Sequence, residues 1–164
     1  MPEEGAIIVD AGTTTGALLN LIPDTSQLTV VTNSVLHAAA MAHRPNITTL
    51  VLGGRVRSRT LACVDEWAIE GLKGLYADVA FVGTNGITAS RGLTTPDRNE
   101  AAIKNAMLLA ARRRIVLADN TKFGVNHFAS FGNLEDVDVV ITDVLVDDDV
   151  ADEIEATGPV VVRA

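Results

Sequence analysis

The chain has a single cysteine, Cys63, which excludes an intrachain disulfide framework and any cysteine-rich zinc site. A small buried apolar role suits that thiol. No apolar run approaches the ~20 residues that a bilayer-spanning helix needs, and the acidic start Met-Pro-Glu-Glu-Gly is not followed by the apolar stretch of a secretory signal. A soluble, cytoplasmic protein with no membrane partner is expected. Lysine is scarce, with three against ten arginines, and the bases are not gathered into the stripe that displaces counterions from nucleic acid. DNA binding by this chain alone is not expected. His37, His43 and His127 show no metal-ligand spacing, so no metal centre is expected and each suits a solvated or hydrogen-bonded core position. Ser34, Ser58 and Ser90 lie in no Gly-x-Ser-x-Gly elbow, which argues against a nucleophilic hydrolase. The phosphate-binding loop ending in Gly-Lys-Ser/Thr and the Gly-x-Gly-x-x-Gly fingerprint are both missing, so no nucleotide is indicated and no cofactor is expected.

What the chain does have is enough apolar residue, 48% of 164, to fill one core, and one domain over residues 1–164 is expected. Its net charge of −8 is uneven: ten of the 21 acids fall between Glu135 and Glu155, where there is no Lys or Arg. The rest of the domain is close to neutral.

Strand and helix patterns alternate along the chain. Ile7-Ile8-Val9 reads as a buried strand, followed by a turn at Asp10–Thr15 and a helix to Ile22. Leu28–Thr32 and Ile47–Leu52 are further strands, with a helix from Asn33-Ser34 to Met41 between them. Arg55–Arg59 alternates and suits an edge or a ligand-facing extension. Val64–Leu75 is expected to be a helix burying Trp67, Ile69 and Leu72. Tyr76–Val82 is a strand that leads into a loop running to Pro96, and Asp97 or Asn99 caps a long helix to about Arg113. Arg114–Ala118, Val137–Thr142 and Val160–Arg163 complete the strands, with a short acidic helix at Asp147–Glu155. Apolar strands separated by helix-length segments predict an α/β fold, a mainly parallel sheet with helices on both faces.

In such sheets ligands bind beyond the carboxyl ends of the strands. Five polar or glycine-rich turns fall there: Asp10–Thr15, Thr32-Asn33-Ser34, Gly53-Gly54-Arg55, Gly83–Gly86 and Asp119–Lys122. The first, with Gly12 and the hydroxyls of Thr13, Thr14 and Thr15 at a helix start, suits an anion such as phosphate, although ordinary helix capping explains it equally well. Capping alone accounts for Thr32–Ser34. Lys122 stands in a strand-end turn where a cation faces an anion at Thr13–Thr15, and a solvated loop lysine is its plain alternative. Glu100 and Lys104, at i and i+4, are most simply a surface salt bridge, and either could also reach the same pocket. Arg55, Arg57 and Arg59 share one side if extended and could serve substrate charge, a subunit interface or solvent.

In order and spacing, Asp10-Ala11-Gly12-Thr13-Thr14, Val31-Thr32-Asn33-Ser34, Leu52-Gly53-Gly54, Phe81-Val82-Gly83-Thr84-Asn85-Gly86-Ile87, Gly92-Leu93-Thr94, Glu100 with Lys104, and Leu117–Gly124 resemble the effector-sensing domain of DeoR-family transcriptional regulators. The resemblance spans nearly the whole chain. It implies a ribose-5-phosphate isomerase-like fold and a phosphorylated sugar or related metabolite as effector. It also implies ligand contacts at Asp10, Gly12–Thr15, Thr32–Ser34, Gly53–Arg55, Gly83, Asn85, Gly86, Glu100, Lys104 and Lys122, and a homo-oligomer, dimer or tetramer, with Arg55–Trp67 a candidate surface. Three departures matter. The isomerases resemble Asp-Gly-Ala-Asp-Glu after the fourth strand, whereas Gly83-Thr84-Asn85-Gly86 has no carboxylate for acid–base work, so binding without turnover is expected. Asp65 stands where the family often has glycine. Only Met1–Ala6 precede the first strand, so the helix-turn-helix through which these regulators contact DNA is expected to be absent here. A sugar-phosphate isomerase with Glu100 as base, and an oligomeric scaffold without a ligand, are the competing readings.

Overall fold

The computed structural model describes residues 2–164. Seven parallel strands form the central sheet: β1 (Glu4–Val9), β2 (Gln27–Thr32), β3 (Ile47–Val51), β6 (Ala77–Gly83), β9 (Ala111–Leu117), β11 (Val139–Thr142) and β12 (Val160–Arg163). Their spatial order is β12-β11-β9-β6-β1-β2-β3. From β1 the chain winds outward through β2 to β3, then returns to place β6 on the other side of β1 and winds away in the opposite direction. The crevice between the carboxyl ends of β1 and β6 is therefore the topological switch point, the position at which open α/β sheets bind ligands.

The central strands are apolar over the stretches where both faces are covered, such as Ile7–Val9 and Val79–Val82, and alternate residues there feed separate cores, while the edge strands β3 and β12 stay largely exposed. Ile7, Val9, Val30, Val79, Phe81 and Ile115 pack on one face with Leu19 of α1 (Thr13–Leu19) and Met41 of α2 (Val35–Met41). Ile8, Val31, Ala80, Val82 and Val116 pack on the other with Ala68 of α3 (Glu66–Glu70), Ile103 and Met107 of α4 (Arg98–Leu109), and Ile154 of α5 (Asp148–Glu155).

Two smaller sheets depart from the expected pattern. β4 (Arg55–Val56) pairs with β5 (Cys63–Val64) as a short antiparallel hairpin. β7 (Gly86–Thr88) and β8 (Gly92–Thr95), where a loop was expected, form an antiparallel sheet with β10 (Ala129–Gly132), a stretch for which no element was expected. That sheet buries Ile87, Leu93 and Phe131 fully or nearly so.

Two element boundaries also need correction. The helix expected over Val64–Leu75 is only the five residues of α3, and Trp67 is 79% exposed rather than buried. Antiparallel pairing takes Val64, and Asp65 turns the backbone at φ 84°, so the helix starts two residues late with a register that sends Ala68 and Leu72 inward and Trp67 out. The long helix stops at Leu109 rather than near Arg113. Arg112 and Arg113 are good helix formers, but they belong to β9, which pairs with β6 from Ala111↔Ala77 onward. As expected, Cys63 is a buried free thiol.

Candidate functional site

At the switch point a cleft of about 220 Å³ is lined by Asp10 to Thr15, by Gly83 to Asn85, by Lys104, and by Leu117 to Asp119 with Lys122. Three parallel strands, β1, β6 and β9, end at it. The alternation that turns Ile8 toward α4 continues to Asp10, whose carboxylate sits at the crevice only 2% exposed. A lone carboxylate there would be costly to desolvate. Lys104, 6% exposed and on α4, donates to Asp10 Oδ2 and, at 2.9 Å, to the Gly83 carbonyl, while Gly83 N–H donates to Asp10 Oδ2 at 3.1 Å. One lysine thus ties together the ends of β1 and β6 and the middle of α4. The Phe131 ring lies 5.6 Å from its Nζ.

Gly12 begins α1 in an extended conformation and supplies no side-chain cap, and the first turn of the helix carries no acid. Thr15 turns inward, donating to the carbonyls of Asp10 (2.6 Å) and Gly12 (3.0 Å). Thr13 and Thr14 stay exposed on the cleft. Across the cleft Lys122 ends a single 3-10 turn, Asn120–Lys122, with Asp119 at its start. Hydrogen bonds from Thr121, with Lys122 at 3.7 Å, hold the Asp119 carboxyl below its usual range.

The residues of Thr32–Ser34 are placed beside this cleft but do not line it. Asn33 Oδ1 accepts from Ala11 N–H at 2.9 Å, its amide donates to the Cys63 carbonyl at 3.2 Å, Thr32 Oγ1 accepts from Ser34 N–H at 3.1 Å, and Ser34 Oγ caps His37 N–H at 3.2 Å. All three are buried with their side chains occupied, so they hold the neighbouring turn in shape. Gly53, Gly54 and Arg55 are also away from the cleft. At Gly54, with φ 119°, an added Cβ would fall 2.5 Å from the Val64 carbonyl oxygen, and Arg55 pairs with Asp65 at 2.9 Å. Gly86 is buried under Val125 and Thr94.

Glu100 and Lys104 do not pair with each other. Lys104 goes to Asp10, and Glu100 pairs with Arg57 and accepts from Thr60 at 3.1 Å. Arg57 also reaches Asp97, the cap of α4, at 3.4 Å. Glu100 meets the cleft only indirectly, through Thr95, which lies 3.5 Å from Glu100 Oε2 and donates to Asn85 Oδ1 at 2.9 Å. Sequence reasoning missed the Asp10–Lys104 pair because the partners are 94 residues apart. It also missed Thr95, Leu117 and Ala118. The apolar wall had a signal, being the carboxyl end of a strand.

His37 adjoins the site behind α1. Its Nε2 lies 3.1 Å from the Gly12 carbonyl, so Nε2 carries the proton, and burial lowers its pKa against the raising effects of that bond and of Asp10. An added Cβ at Gly16 would lie 2.8 Å from Nε2 and displace the ring from this bond.

Comparison with known proteins agrees with this architecture. The structure resembles the crystal structure of ribose 5 phosphate isomerase A from Neisseria gonorrhoeae with a TM-score of 0.50 and 13% identity, over 77% of this chain and 48% of that one, a likeness of fold. The chain is 38% identical over 142 residues to the HTH-type transcriptional regulator FruR of Bacillus subtilis, covering 86% of this chain and 56% of that protein. It is 36% identical over 162 residues to the HTH-type transcriptional regulator GlpR of Haloferax volcanii, covering 99% and 63%. The glycerol-3-phosphate regulon repressor of Escherichia coli is 27% identical over 143 residues, covering 87% and 57%. The chain therefore spans a little over half the length of these regulators. Residues 1–144 match the model of the DeoR C terminal sensor domain, and the chain belongs to that family.

Proposed function

We propose that this chain is the phosphosugar-sensing domain of a DeoR-like transcriptional regulator, a repressor of sugar-metabolism genes, and that it binds a phosphorylated sugar or related metabolite without turning it over. The ligand sits in the switch-point cleft, against Gly12–Thr15, Gly83 and Asn85, with Asp10, Lys104 and Lys122 around it. Thr32–Ser34 and Glu100 act behind it. The relatives support the regulatory half of this reading, one of them being named for a phosphorylated three-carbon compound.

The observation that carries the absence of turnover is the state of the carboxylates. Isomerisation requires a general base within reach of substrate and poised near the working pH. Among the described residues two acids line the cleft, Asp10 and Asp119. The first is locked by Lys104 and the second is held ionised by its own turn. Glu100 is turned away onto Arg57. The loop Gly83–Gly86 adds none. These groups can read hydroxyls and charge, and they are not arranged to move a proton.

In the longer regulator, DNA contact belongs to a helix-turn-helix outside this chain, and the sensor works as a dimer or tetramer. The effector shifts DNA affinity by binding one quaternary arrangement better than the other. Assays with ribose 5-phosphate and several hexose phosphates are expected to show no turnover. The same compounds in a thermal-shift panel are expected to stabilise the chain, by ~2.7 kcal/mol at 100 times the dissociation constant. Turnover at ordinary enzyme rates would establish an isomerase instead, and silence across the panel would leave a scaffold.

A further inference from the structure

The three arginines of the 55–59 stretch meet three different fates. Arg55 is tied to Asp65, and Arg57 to Glu100 and Asp97. Arg59, at the tip of the β4–β5 hairpin, makes no ion pair among the described residues. It borders a second hollow of about 380 Å³, lined also by Gly12, Thr13, Gly16, Ser34, His37 and Thr60. This hollow and the switch-point cleft share Ala11, Gly12 and Thr13, so one ligand lying over Gly12 and Thr13 faces both.

Charge separates the two spaces. The cleft's lysines each sit beside a carboxylate, Lys104 by Asp10 and Lys122 by Asp119, so the cleft is formally neutral. Among the described residues the hollow has no acid in its lining, burial disfavours the charged form of His37, and Arg59 is its permanently charged group. An anion gains most from a cation that is not already compensated, and a guanidinium matches phosphate oxygens with paired N–H donors.

The tip is held in place. Arg57 and Thr60, on either side of Arg59, are both bound to Glu100. Leu61 N–H donates to the Arg57 carbonyl at 2.7 Å, the Leu61 carbonyl accepts from Val35 N–H at 3.1 Å, and Leu61 itself sits at φ 52°. A leucine in the left-handed region persists only where its surroundings impose it.

Building on the phosphosugar reading, we propose that Arg59 is the counter-charge of the ligand's phosphate. The phosphate lies over Gly12 and Thr13 toward the hairpin tip, and the hydroxylated carbon chain extends into the neutral cleft among Asp10, Asn85, Lys104 and Lys122. Glu100 is a positioning residue that holds the tip through Arg57 and Thr60.

The test is calorimetric titration of the full chain with inorganic phosphate and with the tightest-binding sugar phosphate of the panel. Arg59→Ala is expected to raise the dissociation constant for both at least ~10-fold with an unchanged melting temperature, and Arg59→Lys to recover part of it. Glu100→Gln is expected to weaken binding in the wild-type background and to add nothing on top of Arg59→Ala, the non-additivity of residues acting as one unit. Sugar-phosphate binding by Arg59→Ala within twofold of wild type overturns the assignment of Arg59 while leaving the phosphosugar reading intact. A wild-type chain that binds no sugar phosphate overturns both.

Discussion

Two helix starts lie side by side in this sheet and are built from similar sequence. β1 leads through Asp10-Ala11-Gly12 into α1, and β2 leads through Thr32-Asn33-Ser34 into α2; each helix has seven residues. They differ in whether their polar atoms are already occupied. At α2, Ser34 caps the helix, Thr32 braces Ser34, and Asn33 reaches out in two directions. At α1 no side chain caps the helix, and Thr13 and Thr14 face an open cleft. A polar turn at the end of a parallel strand is therefore not itself a site. The second turn gives the first its shape: of its three residues only Ser34 borders a ligand space, the second hollow, and there its hydroxyl is engaged by the His37 N–H, whereas Thr13 and Thr14 of the first are left free to meet a ligand.

The supporting charges give the largest expected effect. Lys104→Met removes the partner of a carboxylate that is 2% exposed, and an uncompensated buried charge of this kind costs ~3–5 kcal/mol. Chemical denaturation should show a loss of that size, and a melting curve a fall of ~10 °C. A loss under ~1 kcal/mol would mean that Asp10 finds another partner or takes up a proton. Asn33→Ala comes next. It strips the Ala11 N–H and the Cys63 carbonyl of their partners, at ~1–3 kcal/mol, and should loosen the α1 turn enough to weaken ligand binding as well. Ser34→Ala removes a cap and should cost ~1 kcal/mol with binding nearly unchanged. Equal losses of affinity in Ser34→Ala and Asn33→Ala would blur the distinction between the two starts.

The smallest effect is one of pH. Burial lowers the His37 pKa from 6.5, so the unfolded chain takes up a proton that the folded chain resists. The contribution of the neutral ring is present above pH 6.5 and is lost as pH falls below it toward the lowered folded value. Stability measured downward from pH 7 should decline through that window, and His37→Gln should flatten that part of the curve. An unchanged slope in the variant would assign the decline to carboxylates alone.

Much of this arrangement is visible in the sequence because strand ends carry local signals. Apolar β-branched runs closed by Asp10, Thr32, Gly83 and Asp119 announce parallel strands with polar carboxyl ends, and the sheet follows from them. Helix propensity misled at Arg112 and Arg113, which join β9, and helical spacing misled at Val64, a β-branched residue that joins β5. The β7–β8–β10 sheet escaped notice because its strands are only three or four residues long and rich in glycine and threonine. Side-chain partners were harder still. The i, i+4 spacing of Glu100 and Lys104 suggested a mutual pair, but each residue is claimed by a distant partner, Arg57 for one and Asp10 for the other. No local pattern encodes such contacts.

The most direct test of the account compares Thr13→Val with Ser34→Ala, titrated by calorimetry with the best sugar phosphate of the panel and unfolded by denaturant. If the first helix start holds the ligand and the second only supports it, Thr13→Val loses at least ~10-fold in affinity, the ~1.4 kcal/mol of one decade, while its stability stays within ~0.5 kcal/mol of wild type. Ser34→Ala shows the reverse. Unchanged affinity in Thr13→Val, or a larger loss of affinity in Ser34→Ala, would contradict the account.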